Sequence, residues 1–485
     1  MKIKSVKFNF IMNFTLTMSQ FLFPMITFPY VSRVLGPAGN GSVAFATSVI
    51  TYFTMFAMLG VPTYGIRACA KVRENKEELS RTVQELLLIN LIMMILCYIA
   101  FGFSLRFVSG FQEDRTLLII SSAAMLLNVL GVSWLYSALE QYAYIAAAGM
   151  LFKVLSIFLM FAFVRTKEDY IIYGAIAVFA SAGSYVLNFI RLRKFISLKP
   201  VKYYNFRRHL KPILVFFAMS VATTIYTNLD TVMLGFMKTN TDVGYYNAAV
   251  KIKTILVSLV TSMGTVLLPR LSFYIESGQM KEFRRMIAKT INFVLLVSLP
   301  LTVYFILYAK ESILLLSGEE FMGAVIPMCV ITPTIILIGL TNVLGIQALV
   351  PTGKEDKVLI SVIIGAVVDL ILNAVYIPKY AAAGAALGTL VAEIAVLIVQ
   401  IVYLRKMLWE MKKELNWKLP IAALLAATAV VCIFKNYISV GSVFLTLLIS
   451  AIIYFGIYGT ILLIGKNPFV MEIIRPVLAR LKRGL

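Results

Sequence analysis

The sequence predicts an all-α integral membrane protein with fourteen transmembrane helices and both ends on the cytoplasmic side. Three observations predict it. Of 485 residues, 60% are hydrophobic and only 14% charged, against about half and about a quarter in a soluble chain. Fourteen apolar runs approach the roughly 20 residues that a helix needs to cross the hydrocarbon. Lysine and arginine then fall on alternate loops.

The runs lie near 8–31, 42–66, 83–107, 116–138, 142–164, 170–190, 210–236, 243–269, 287–309, 321–346, 358–378, 383–404, 419–434 and 441–464. With the N-terminus inside, and with Arg106, Lys211 and Lys289 at span ends counted with the adjoining loops, the inner segments hold 33 Lys+Arg and the outer ones 9, leaving Lys153, Lys251 and Lys253 within spans. A missed helix would invert every later loop and blur that asymmetry. The opening MKIKSVK is basic and leads into a stretch too long for a signal-peptide core, with no small-residue cleavage site. It reads as a retained first helix.

The net charge of +22 does not point to nucleic acid, because the cations sit between apolar runs and not on a separate domain. Cys69, Cys97, Cys329 and Cys432 are scattered and read as small apolar packers. His209, the one histidine, lies in a basic loop and is expected at a solvated or interfacial position. There is no metalloprotease HExxH, P-loop or nucleotide fingerprint, and no outer loop exceeds roughly a dozen residues. An ATPase or a catalytic domain is therefore not expected, and no metal or cofactor.

Two basic segments flank the helices. RLRKFISLKPVKYYNFRRHLKP (191–212) mixes aromatics with cations, as a segment lying on an anionic leaflet does. The tail over 465–485 has one apolar stripe through Val470, Ile473, Ile474, Val477, Leu478 and Leu481, with cations mostly off it, and predicts an interfacial helix. A faint repeat links VLGPAGNGSVAFA, closing span one, to MLGFMKTNTDVGYYNAA, closing span seven. It pairs Gly36 with Gly235 and Gly41 with Gly244. This fits a six-helix lobe over 1–190, a linker over 191–212, a second lobe over 213–407, two extra helices over 408–464 and the tail. Repeated halves with a central site are a recurring transporter plan.

Polar residues recur at helical spacing inside the spans. Span seven carries Ser220, Thr223, Thr227 and Asp230. Span eight carries Lys251, Thr254, Ser258, Thr261 and Thr265, with Lys253 on another face. Span one carries Asn9, Asn13, Thr17, Gln20, Pro24 and Thr27, and span two Thr47, Thr51 and Thr54. A charge at a helix centre costs about 2.5–3.5 kcal/mol on insertion scales, so it requires a partner or water. Asp230 and Lys251 match in depth on adjacent helices, which makes an ion pair available. Asp369 and Glu393 also match, near the midplane of spans eleven and twelve. Two carboxylates at one depth suggest H⁺ or Na⁺ coupling. Helix glue is the plainer alternative for both pairs; stripes on several helices favour a wet cavity. Gly384 and Gly388 form a GxxxG that reads as close helix packing.

At this point five ordered blocks show a resemblance: FPYVSRVLGPAGNGSVAFA, YGIRACAKVRENKEELS, LDTVMLGFMKTNTDVGYYNAAVKI, LVPTGKEDKVL and LILNAVYIPKYAAAGAALGTLVAE. Together they resemble the Wzx-type oligosaccharide flippases of the multidrug/oligosaccharidyl-lipid/polysaccharide exporter superfamily, over about residues 5–405. The resemblance implies two six-helix lobes around a central cavity. It implies a polyprenyl-pyrophosphate-linked oligosaccharide repeat unit as substrate, moved from the cytoplasmic to the outer leaflet by alternating access. It also implies a place in the cell membrane among membrane lipids, and polysaccharide polymerase and glycosyltransferase partners. Lys251 matches the family's basic segment; Lys153, Lys253 and Asp230 join it as candidate substrate-binding residues. Arginines carried within the first helix of related lipid flippases have no counterpart between Lys7 and Arg33. An ion-coupled multidrug exporter on the same fold is the alternative, and the intramembrane lysines argue against it.

Overall fold

The computed structural model describes residues 6–201, 203–438 and 441–471; its side-chain description excludes residues 6–11, 13, 14, 16–18, 20–22, 263–266, 268, 269 and 413. Most of the expected tail helix lies outside the described residues. So do the side chains of Asn9, Asn13, Thr17 and Gln20 in the first span's stripe and of Thr265 in the eighth.

Among the described residues the regular structure is all helical. In order the helices are α1 (Val6–Met58), α2 (Val61–Val72), α3 (Lys76–Phe107), α4 (Arg115–Gly131), α5 (Ser133–Ala138), α6 (Tyr142–Phe163), α7 (Tyr170–Ala182) and α8 (Ser184–Arg191). There follow α9 (Arg207–Met237), α10 (Asn240–Glu276), α11 (Met280–Leu307), α12 (Ala309–Ser317), α13 (Val325–Ile331), α14 (Thr334–Thr341), α15 (Glu355–Met411), α16 (Lys418–Tyr437) and α17 (Val443–Ile464). Among the described residues ten helical stretches are long and apolar enough to cross a bilayer, or eleven if a bent pair counts as one span.

Two of the longest helices contain a reversal. α1 breaks at Gly36 (φ 66°, ψ −177°), a conformation glycine reaches because it has no Cβ. The Asn40 amide donates to the Gly36 carbonyl at 2.9 Å and the Val31 carbonyl at 3.4 Å, satisfying acceptors that the break exposes. α15 breaks at Ala381 (φ 47°, ψ −125°), three residues after Pro378. The expected spans four and ten are also interrupted. Val132 turns left-handed (φ 37°) between α4 and α5. The tenth span divides into α13 and α14 with a 46° bend; Pro333 sits at the joint and has no amide hydrogen for the preceding turn.

The residues form two compact units, Met1–Asn247 and Ala248–Leu485, and the boundary falls inside α10. In the first, α1 packs against α3, α4, α6, α7 and α9. One buried cluster gathers Trp134, Tyr136, Leu86 and Met125, all at most 2% exposed. In the second, α13 and α14 pack on α15, and the paired α16 and α17 pack on α11. Tyrosines fasten that last contact. Tyr304 donates to the Leu447 carbonyl at 2.7 Å and Tyr458 to the Leu296 carbonyl at 3.0 Å, so each hydroxyl buried in apolar surroundings keeps a partner.

His209 is not solvated. It is 2% exposed, with Nε2 at 2.7 Å from Glu85 and Nδ1 at 2.8 Å from the Tyr64 hydroxyl. The physical reason is Glu85, fully buried on α3. A buried carboxylate requires several donors. It also receives the Arg208 guanidinium at 2.7 Å, Arg81 at 3.2 Å and the Asn205 amide at 2.6 Å. One turn face of α3 thereby holds the basic segment. Gln84 donates to the Ser197 and Lys199 carbonyls at 2.7 and 2.9 Å, and Ser80 accepts from the Ser197 amide.

Candidate functional site

The first unit contains a cavity of about 640 Å³ whose walls come from α1, α4, α7 and the middle of α9. Thr47, Thr51 and Thr54, the stripe expected on span two, line one wall, and Ser220 of the span-seven stripe lines another with Thr224. Ser121, Asn128, Ser133 and Ser181 add to the polar surface, beside Met55, Ile50 and Tyr185. No charged side chain lines it.

Hydrogen-bond geometry decides what this surface offers. Thr51 donates to the Thr47 carbonyl at 2.8 Å, Ser181 to Ala177 at 2.9 Å, and the Asn128 amide to Ala124 at 2.8 Å. The Thr51 and Ser181 hydroxyls thus satisfy their donors on their own helices and Asn128 one of its two, which leaves oxygen lone pairs and the second Asn128 N–H for the cavity. An uncharged wall of hydroxyls and an amide suits a neutral, hydroxyl-rich ligand.

The charged candidates lie elsewhere. Lys153 is half-buried and donates to the Ser19 hydroxyl at 2.8 Å. Asp230 is 6% exposed and accepts from the Tyr246 hydroxyl. Lys251 and Lys253 are half-buried on different faces of α10; within the second unit Lys251 has no ion-pair partner among the described residues.

Asp369 and Glu393 are both buried, at 2% and 4% exposed, on opposite sides of the Ala381 break. The two halves of α15 pack antiparallel. Gln400 donates to Ser361 at 3.2 Å. A methyl on Gly388 would stand 2.3 Å from Asn373 Oδ1 and 3.1 Å from Asp369 Oδ1, and one on Gly384 2.3 Å from the Tyr376 carbonyl. These contacts keep one register, which brings Asp369 and Glu393 to the same level. They also explain the glycine pair: a side chain at either position would push the hairpin open.

Sequence reasoning missed Glu85 and the α4 and α7 walls. The signal for Glu85 was a carboxylate inside QELLLINLIMM, facing cations from a loop 120 residues on. For the walls it was single Ser and Asn residues within apolar runs.

Helices of membrane-crossing length, with a polar cavity of about 640 Å³ in the first unit, define a multi-pass membrane protein of the transport class. The chain belongs to the polysaccharide biosynthesis protein family, whose family model matches residues 6–274. A second model, MatE, matches residues 216–375. Over 389 residues the chain is 25% identical to the "Putative O-antigen transporter" of Escherichia coli K12, covering 80% of this chain and 94% of that one. Among solved structures it is similar to the lipid II flippase MurJ in an inward closed conformation (TM-score 0.74, 16% identity, 97% of this chain and 100% of that one). It is also similar to an inward-facing multidrug resistance MATE family transporter of the MOP superfamily (TM-score 0.64, 17% identity, 83% of this chain and 99% of that one). At those identities the likeness establishes the fold.

Proposed function

We infer that this protein is a flippase that moves polyprenyl-linked oligosaccharides across the membrane for polysaccharide assembly. It is a transporter and not an enzyme. The observation that carries this is the uncharged, hydroxyl- and amide-lined cavity in a chain of the polysaccharide biosynthesis family. The E. coli relative bears the name of an O-antigen transporter, and an O-antigen is a glycan. A sugar headgroup cannot cross about 30 Å of hydrocarbon unaided, whereas Thr51, Asn128 and Ser181 accept from its hydroxyls. A multidrug exporter for cations needs carboxylates in its cavity, and this wall has none.

Several finer features belong to the same proposal. Taking Gly36 and Ala381 as span boundaries and adding α10 raises the eleven stretches to fourteen. The loop-charge asymmetry supports both ends inside and a place in the cytoplasmic membrane. We assign the pyrophosphate to Lys251, with Lys153, Lys253 and Asp230 as further substrate contacts, and ion coupling by H⁺ or Na⁺ to Asp369 and Glu393. Two six-helix lobes over 1–190 and 213–407 are the proposed moving parts, with a polymerase and glycosyltransferases as functional partners. Deleting the gene tests the reading. Lipid-linked repeat units should accumulate on the cytoplasmic leaflet; an unchanged leaflet distribution contradicts it.

A further inference from the structure

A second cavity, about 520 Å³, lies in the second unit where α10 ends, α11 begins and the α15–α16 connection passes. Its size is within the range of small-molecule sites, about 300–1,000 Å³. Arg270, Arg285 and Lys289 bring three cations to its wall, against two carboxylates, Glu282 and Glu414. The cavity therefore carries one excess positive charge.

The wall is built. Asn292 bridges α11 to the connection, donating to the Glu414 carbonyl at 2.9 Å and accepting from the Asn416 amide at 3.0 Å. Asn467, 3% exposed, caps the turn that follows α17 through the Phe469 amide at 3.1 Å. Arg270 is steadied by a 2.8 Å bond to the Tyr274 hydroxyl. Arg285, by contrast, is exposed and makes no hydrogen bond or ion pair among the described residues. Toward the helix interior the lining turns apolar, with Met286, Leu296 and Phe469, the last packed on Phe293 at 5.5 Å between ring centroids.

Two exposed tryptophans flank the α15–α16 connection that lines the cavity. Trp417, next to lining residue Asn416, is 52% exposed, and Trp409 is 75% exposed. Exposed tryptophans at helix ends mark the membrane–water interface. This end of the helices carries the heavy loop charge, so under the orientation proposed above it faces the anionic inner leaflet.

We propose that this cavity binds the phosphodiester headgroup of an anionic phospholipid, with Arg285 and Lys289 on the phosphate and the acyl chains leaving along Leu296 and Phe469. The single negative charge of a phosphodiester cancels the single excess cation; a pyrophosphate carries more than the wall can neutralise. None of the residues that line it lines the cavity in the first unit. It rests on the proposed orientation and not on which glycan is carried.

Full-length protein purified in a neutral detergent tests it by native mass spectrometry. The ligands added are phosphatidylglycerol, phosphatidylcholine, inorganic phosphate and a polyprenyl pyrophosphate. Wild type should retain phosphatidylglycerol at least threefold over phosphatidylcholine. Arg285→Gln/Lys289→Gln should lose that preference, Arg285→Lys should keep it, and Arg193→Gln, an exposed cation of the first unit, should leave it unchanged. Equal retention of the two lipids, or an unaltered preference in the double variant, overturns the proposal. So does displacement by millimolar inorganic phosphate, which would make the ligand a free anion, or by polyprenyl pyrophosphate, which would make the cavity a substrate site. A protein that binds phosphatidylglycerol here yet fails to move lipid-linked glycan would overturn the proposed function alone.

Discussion

Gly41 and Gly244 each press against the turn from which the other's helix begins. A methyl on Gly41 would lie 1.6 Å from the Asn240 carbonyl oxygen, and one on Gly244 would lie 2.0 Å from that of Pro37. The spacing from Pro37 to Gly41 equals that from Asn240 to Gly244, so the contact is reciprocal, as a two-fold relation between two like segments produces. The pair is the one that the faint repeat in the sequence aligns. Asn240 adds bonds of 2.9 Å to Ser42 and to the buried Asp114.

Gly244→Ala and Gly41→Ala should therefore each destabilise the protein, by about 1–3 kcal/mol as overpacked sites do. Thermal unfolding in detergent measures this. Unchanged melting in both variants would contradict the contact.

Ala381 offers the opposite case. Its φ of 47° with ψ of −125° is a region that costs a non-glycine residue about 1–3 kcal/mol. Ala381→Gly should raise the melting temperature, less the roughly 1 kcal/mol or smaller entropy cost of a glycine. A drop would show that the hairpin turn is not strained there.

Glu85→Gln should loosen the basic segment. Removing the charge leaves Arg208, Arg81 and His209 around a neutral amide. Breaking a fully buried pair costs about 3–5 kcal/mol, and the partial exposure of Arg208 reduces this to about 2 kcal/mol. Limited proteolysis should then cut near Ser197–Asn205 in the variant faster than in wild type. Equal rates would contradict the anchoring role.

Asp369→Asn and Glu393→Gln separate coupling from packing. If the buried level they share carries the coupling ion, each variant should fold and retain glycan binding while losing gradient-driven movement. Movement at the wild-type rate in both would reduce the pair to hydrogen-bonded glue in the α15 hairpin.

The all-helical, multi-pass fold was legible in the sequence for a simple physical reason: a bilayer imposes its thickness on the chain, and the length of an apolar run is read residue by residue. The repeat, the GxxxG packing and the threonine stripe of span two were legible because they are local periodicities. Breaks were less so. Val132 and Ala381 take left-handed conformations without glycine, so no residue type announced them. His209 and Glu85 are far apart in sequence and meet only because the basic segment folds back on α3. The α4 and α7 walls escaped notice because isolated serines and asparagines in apolar runs also satisfy themselves on their own helix, and only the packing shows which ones face a cavity.

The most direct test is transbilayer movement of a polyprenyl-pyrophosphate oligosaccharide in proteoliposomes under imposed proton and sodium gradients. Wild type is to be compared with Thr51→Val/Asn128→Leu, which removes two cavity acceptors worth about 0.5–1.5 kcal/mol each. The account predicts movement by wild type, and movement slowed about tenfold in a double variant of unchanged melting temperature. No movement by wild type under either gradient, or equal rates in the two proteins, would contradict it.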